Sequence, residues 1–270
     1  MDVLVIGAGI FGTSIACELS EAGHNVTLVE KDEKIMQRAS RVNHNRVHFG
    51  YHYPRSRENA RQCLDSIPSF YMNYSDAIVS DFPNYYTIAA EGSFVTPDQF
   101  VDFCKDVKID FREEYPSEKL LSKDKLAASF RVREPIFSTS ALSRLVAARL
   151  DKAGVHVWTS SEVESARKNP SGGYSVMING RRRTYHKVVN ATYSGLNEVN
   201  KKFKVRPREL RFERTVVPVF RFPHDRIGLT VMDGPFCTIM PHGTNDNEFL
   251  LWHVDGCVLS NATDLKNLPT

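Results

Sequence analysis

The chain has no uninterrupted apolar stretch approaching the ~20 residues that a membrane-spanning helix requires, so no bilayer span is expected. Cysteine is scarce: Cys17, Cys63, Cys104, Cys237 and Cys257 are widely spaced and form no Cys-x-x-Cys pair. Such a set supplies neither half a zinc site nor a redox disulfide, and it reads as reduced thiols in a cytoplasmic protein. Charge of one sign is also lacking, since 35 Lys and Arg against 32 Asp and Glu leave only +3. That is too little to make nucleic acid or an anionic membrane the main partner. Glycine and proline, at 15 and 13 residues, are too few for a collagen-like or low-complexity chain. The amino terminus carries Asp2 where a signal peptide has basic residues, and no internal repeat or metal-ligand spacing is visible. What remains is 270 residues, 41% of them hydrophobic, enough for one large domain or two interleaved ones.

The first thirty residues form the clearest unit. Val3-Leu4-Val5-Ile6 is a short apolar run of the kind a strand buried on both faces shows. A helical pattern follows from Thr13 to Ala22, with Ile15, Ala16 and Leu19 on one stripe and Gly23 where the helix should stop. Val26-Thr27-Leu28-Val29 then repeats the strand signature and ends on Glu30. Strand, turn, helix and strand in this span predict a right-handed βαβ unit with parallel strands.

The turn inside that unit reads Gly7-Ala8-Gly9-Ile10-Phe11-Gly12, a Gly-x-Gly-x-x-Gly sequence. Alone it is a weak signal, but here it follows a buried strand, opens a helix and precedes an acid at the end of the second strand. Gly7 permits the tight turn, Gly9 lets backbone amides approach a pyrophosphate, and Gly12 lets helix and strand pack closely. The first amides of the helix favour anionic oxygens. Glu30 can accept hydrogen bonds from both hydroxyls of an adenosine ribose and would repel a 2′-phosphate, which favours FAD or NAD over NADP.

Further along, residues 31–62 are polar and aperiodic, a long loop leading into a helix around Ser56 to Ser66. Tyr85 to Ala90 reads as a strand, Thr96-Pro97 as a helix start, and residues 138–153 as a helix ended by Gly154, before a strand at Val155 to Trp158. Residues 162–190 alternate like a small antiparallel meander with an Asn179-Gly180 hairpin turn, closed by a buried Val188-Val189 strand. Thr215 to Phe222 and Leu229 to Trp252 suggest antiparallel strands. Arg181-Arg182-Arg183 and the basic run from Lys201 to Arg211 read as a solvated strand edge and helix end.

The segment from Ser40 to Tyr53, with Ser40, Asn43, His48 and Gly50 in a Ser-x-x-Asn-x-x-x-x-His-x-Gly pattern, resembles the D-amino-acid oxidase superfamily of FAD-dependent oxidoreductases. It looks most like the L-2-hydroxyglutarate oxidase branch. Val163 sits where this superfamily has a valine whose backbone pairs with adenine. Val188 to Thr192 resembles the strand and loop that return to the dinucleotide, with Tyr193 where a glycine is usual. The resemblance implies a Rossmann-like FAD-binding domain with a parallel central sheet, residues 1–80 and 138–206. Interleaved with it is an antiparallel β-rich substrate domain, residues 81–137 and 207–270. It implies FAD contacts from Gly7, Gly9, Ile10, Phe11, Gly12, Glu30, Lys31, Ser40, Asn43, Val163, Ala191 and Thr192. Family members continue past this length with a segment that closes over the flavin, so the chain is expected to lack a carboxyl-terminal part.

The chemistry implied is removal of a hydride from a carbon bearing a hydroxyl or amine in a small hydroxy acid, amino acid or related metabolite. The resemblance places His48 beside the flavin as candidate base, an assignment that suits imidazole's titration near neutral pH. Arg46, His52 and Tyr53 share its loop and are candidate substrate contacts. The stretch from Thr230 to Gly243 resembles the hairpin of the substrate module that faces the flavin. Two other readings stay open: an NAD-dependent enzyme with Glu30 on the adenosine ribose, and a degenerate flavoprotein fragment serving as a scaffold.

Overall fold

The computed structural model describes residues 1–265, which group into two compact units. The first comprises residues 1–43, 143–214 and the chain from residue 260; the second comprises residues 44–142 and 215–259. The expected segmentation assigned residues 44–80 to the first domain. They belong to the second unit because Tyr51 and Ala60 are buried in one cluster with Tyr86, Phe100, Phe103 and Phe130.

The first unit is built on β1 (Asp2–Ile6), α1 (Ile10–Glu21) and β2 (Asn25–Val29). The two strands run parallel with Leu4 opposite Thr27, and strands Lys187–Asn190 and His156–Trp158 extend the sheet on either side, also parallel. The continuous apolar run of β1 is explained by its central place, with Leu4 and Val5 fully buried. On α1 the buried residues are Gly12, Thr13, Ala16 and Cys17, whereas Ile15 and Leu19 are only half-buried. The expected stripe is therefore rotated: the helix lies close to the strand, and only small side chains fit in between. Gly23 ends this hairpin at φ +84.

The meander forms as expected from strands Val163–Lys168, Tyr174–Ile178 and Arg181–Tyr185. Asn179 and Gly180 both have positive φ, 45 and 71, as a two-residue hairpin turn of the I′ kind requires. Val163, Val176 and Ile178 pack on Leu4, Ile6 and Val29, so one apolar layer joins the meander to the parallel sheet.

The second unit centres on a seven-stranded sheet in the order Val219–Arg221, Glu248–His253, Cys237–Pro241, Gly228–Met232, Asn84–Ala89, Leu126–Val132 and Phe111–Glu113. Its pairings are antiparallel except one. Gly228–Met232 lies parallel to Asn84–Ala89, one parallel pairing within the antiparallel β-rich module. Parallel pairing at that point is possible because a long stretch of chain separates the two strands, including helix Pro97–Val107. That helix starts with a complete capping box, Thr96 with Gln99, as the Thr-Pro signal predicts. Helix Arg57–Tyr74 outlasts the expected end at Ser66 and contains Pro68. Among the described residues no helix is long and apolar enough to cross a membrane.

Candidate functional site

In the first unit the glycine turn leaves no room for side chains. Gly7 has φ +97, and a Cβ there would lie 2.8 Å from the Ala191 carbonyl oxygen. A Cβ on Gly12 would lie 1.8 Å from the carbonyl oxygen of Gly7, and one on Gly9 would lie 3.1 Å from Ser40 Oγ. The three glycines, Ser40, Ala191 and Thr192 are thus brought together. Gly9 caps α1 with backbone alone, without a side-chain hydrogen bond. The Ile10 amide donates to Ser40 Oγ (2.9 Å). Phe11, one residue on, is 71% exposed.

Glu30 bridges the two strand ends from within: Oε2 accepts the Ala8 amide (2.8 Å) and Oε1 accepts the Asp32 amide (3.0 Å). Each oxygen keeps a second lone pair for a further donor. The Ser161 amide donates to the Glu30 carbonyl (2.8 Å), which brings the start of the Val163 strand to the end of β2. Thr192 is held by Asn190 Oδ1, which accepts its hydroxyl (2.6 Å) and its amide (3.2 Å). Tyr193 adopts φ +53, the left-handed conformation that favours the glycine usual at this position. Asn43 donates to the Ala39 carbonyl (3.0 Å), a local loop bond, and Lys31 is exposed.

A helix amino terminus capped by a glycine, with its Ile10 amide on Ser40 Oγ, a turn whose close backbone packing admits only glycine at positions 7 and 12, and an acid at the end of β2 fit the diphosphate and ribose of a dinucleotide.

The second unit holds a buried charged cluster. Arg46 is 8% exposed and donates from Nη1 to Tyr86 Oη (3.0 Å) and from Nη2 to Thr230 Oγ1 (2.7 Å). The Tyr86 hydroxyl in turn donates to Glu134 Oε2, and the Phe49 amide donates to Glu134 Oε1 (3.0 Å). His48 Nδ1 lies 3.4 Å from Glu134 Oε1, while its ring packs 6.0 Å from His52 and 5.9 Å from Tyr53, centroid to centroid. The loop residues Arg46, His48, His52 and Tyr53 therefore lie in one neighbourhood.

Burial pulls the Glu134 carboxyl upward, but His48, the Arg46 charge and the Tyr86 hydroxyl outweigh it and hold it below the ordinary carboxylate value. Burial, with the Arg46 charge second, pushes His44 down to about 3 and His52 down to about 4, so both are neutral imidazoles at pH 7. Burial above all raises the Tyr86 phenol well above its usual value.

Glu134, Tyr86, Thr230 and His44 were not foreseen as site residues. Glu134 sits between two short strands in Arg133-Glu134-Pro135, a context that signals nothing by itself, and its contacts come from residues 48 and 85 positions away.

The fold and these two clusters define a dinucleotide-binding oxidoreductase architecture. More particularly, residues 2–263 match the model of the FAD dependent oxidoreductase family, and the chain belongs to that family. The match covers the Val163 and Asn190 segments as well as the first βαβ unit, which sets aside an NAD-binding domain. The chain is similar to the FAD-dependent monooxygenase FPY4 of Fusarium mangiferae, 23% identical over 237 residues that cover 88% of this chain and 60% of that protein. A shorter match, 43% identical over 54 residues, joins 20% of the chain to 13% of a D-amino acid dehydrogenase of Neisseria meningitidis. The chain thus spans about 60% of the length of the first relative and less of others. The fold is shared with glycine oxidase of Geobacillus kaustophilus, at TM-score 0.71 and 16% identity over 98% of this chain and 72% of that one. It is shared equally with an L-alpha-glycerophosphate oxidase of Mycoplasma pneumoniae with FAD bound, at TM-score 0.71, 17% identity and the same coverage.

Proposed function

We propose that the chain is the cofactor-holding and proton-handling part of an enzyme that oxidises a small hydroxy acid, amino acid or related polar metabolite. The observation that carries this reading is the turn of Gly7, Gly9 and Gly12, packed so closely on backbone at Gly7 and Gly12 that only glycine fits, opening α1 with Glu30 at the end of the next strand. Bound FAD supplies the acceptor for the hydride that leaves the substrate carbon. The α1 amino terminus and the Gly9 backbone hold the diphosphate, and Glu30 accepts from the ribose hydroxyls. Ile10, Phe11, Lys31, Ser40, Asn43, Val163, Ala191 and Thr192 line the same nucleotide.

His48 takes the proton of the substrate hydroxyl or ammonium group, and Arg46, His52 and Tyr53 orient the substrate. The resemblance of Ser40, Asn43, His48 and Gly50 to the L-2-hydroxyglutarate oxidase branch favours a 2-hydroxy acid. The D-amino acid dehydrogenase and glycine oxidase likenesses favour an amino acid. Five free cysteines, three of them buried, support a reducing, cytoplasmic setting.

The test is direct. The purified chain should be yellow and should release FAD on heating; a colourless chain that added FAD does not reconstitute refutes the reading. Panels of 2-hydroxy acids and of D- and L-amino acids, scored by anaerobic bleaching of the flavin band, identify the substrate class. His48→Ala should slow bleaching by about a hundredfold, the lower end of general-base contributions, with FAD content unchanged. An equal rate removes His48 as base.

A further inference from the structure

We propose that Glu134 is a positioning residue for His48, fixing the imidazole as the Nδ1–H tautomer and leaving Nε2 as its lone-pair nitrogen. The inference rests on the reading of His48 as base, and adds to it which nitrogen receives the proton and what sets that choice.

Nδ1 of His48 is buried and has no formed hydrogen bond. The acceptor within reach is Glu134 Oε1 at 3.4 Å, an electrostatic contact slightly longer than a formed N–H···O bond. An ionised carboxylate only accepts, so the pair is favourable when Nδ1 carries the proton. Were the proton on Nε2 instead, the Nδ1 lone pair would face a carboxylate oxygen inside the protein, an arrangement that is repulsive and unrelieved by water.

Glu134 is itself immobile. Its side chain is fully buried, Oε1 is fixed by the Phe49 amide one residue after His48, and Oε2 by the Tyr86 hydroxyl. His48 itself and, after it, the charge of Arg46, which is bonded to the other side of the Tyr86 oxygen, hold the carboxyl below its ordinary value. The His48 side chain is nevertheless 36% exposed. With Nδ1 buried, that exposure belongs to the opposite edge of the ring, where Nε2 is free to meet a substrate.

The other titratable groups around the pair come from three elements: His44, Arg46, Tyr51, His52 and Tyr53 from the same loop, Cys63 from the Arg57–Tyr74 helix, and Tyr86 from the Asn84–Ala89 strand. None of them offers Nδ1 an alternative acceptor.

Histidine-selective ¹⁵N labelling of the chain as purified, recorded by NMR above pH 8 and assigned with His48→Gln, reads the tautomer without any substrate. The expected result is a neutral His48 ring shifted about fivefold toward Nδ1–H relative to free histidine, the factor of a single close contact with a carboxylate rather than of a formed charge-assisted bond. A ratio like that of free histidine overturns the proposal. Glu134→Leu, which fills the same space without an acceptor, should return the ring to the free-histidine ratio; a variant that keeps the wild-type ratio also overturns it. The wild-type measurement stands whether or not that variant folds. The two readings fail separately. An unchanged bleaching rate in His48→Ala removes the base role and leaves the tautomer standing, whereas an Nε2–H ring in wild type removes Glu134 and leaves the base role standing.

Discussion

The first unit presents backbone amides at a glycine turn; the second stores its own charges and links them through long-range contacts. In the glycine turn, Gly7 and Gly12 let backbone pack on backbone and the α1 amides supply partial positive charge without a formal cation. In the second unit, Arg46 reaches Tyr86 and Thr230, 40 and 184 positions away, and Tyr86 connects it to Glu134. A site of the first kind fails by overpacking and a site of the second kind by losing a partner, so single substitutions separate them.

The largest effect is expected at Gly12. Gly12→Ala places a methyl group 1.8 Å from the Gly7 carbonyl oxygen, which is backbone and has no rotamer to escape into. The α1 helix must move off the strand, at a cost of about 3 kcal/mol or more. Urea unfolding should show a midpoint far below wild type, or no soluble protein at all. A variant of wild-type stability would mean that the turn is looser than its geometry.

Tyr86→Phe comes next. The substitution keeps the ring stacked near Phe100 and removes only the hydroxyl that accepts from Arg46 and donates to Glu134. Two buried charged groups each lose a partner, and the expected destabilisation is about 2 kcal/mol. If Tyr86→Phe unfolds within about 0.5 kcal/mol of wild type, the cluster is wetter than its burial indicates.

How much of this was legible in the sequence follows from the same contrast. The Gly7 to Gly12 spacing, the two apolar runs and Glu30 announce the first site because these parts fall within thirty consecutive residues, whereas Ser40, Ala191 and Thr192 reach it only through the fold. Local chemistry also marked Thr96-Pro97 and Asn179-Gly180, and both turned out as capping box and hairpin turn. The buried stripe of α1 was misjudged because large apolar residues usually mark the inner face, and here close backbone approach reverses that. The parallel pairing of Gly228–Met232 with Asn84–Ala89 could not be read, since no local pattern encodes which distant strand a strand will meet. Glu134 was invisible for the same reason: an acid before a proline looks like a surface turn until the fold surrounds it.

Acid should distinguish the units further. His44 is neutral when folded, down to about 3, while an unfolded histidine titrates near 6.5. Between those values the unfolded chain binds the extra proton, so this contribution is fully present above about pH 6.5 and is lost as pH falls toward 3. Glu134, held below its ordinary value, acts in the same direction below about pH 4.5. Wild type should lose about 1 kcal/mol more stability from pH 6 to pH 5 than His44→Gln does. Parallel stability curves for the two proteins would show that His44 takes up its proton without leaving the fold.

The smallest expected effect tests the one residue that shares both characters, Glu30, a side chain whose present partners are backbone amides. Glu30→Gln can keep an oxygen on the Ala8 amide but must turn its NH₂ toward the Asp32 amide, or the reverse, so one of the two bonds is lost. Ala8 is fully buried and Asp32 half-buried, so the oxygen stays on the Ala8 amide and the bond lost is the outer one, a stability change of about 1 kcal/mol. In the proposed ribose role a second consequence follows: a neutral amide oxygen would accept from the hydroxyls more weakly than a carboxylate does. FAD dissociation measured by fluorescence recovery should then show affinity about threefold weaker, or about 0.7 kcal/mol. Unchanged affinity with reduced stability would make Glu30 a brace for the turn alone, and the first unit would recognise its ligand through backbone and nothing else.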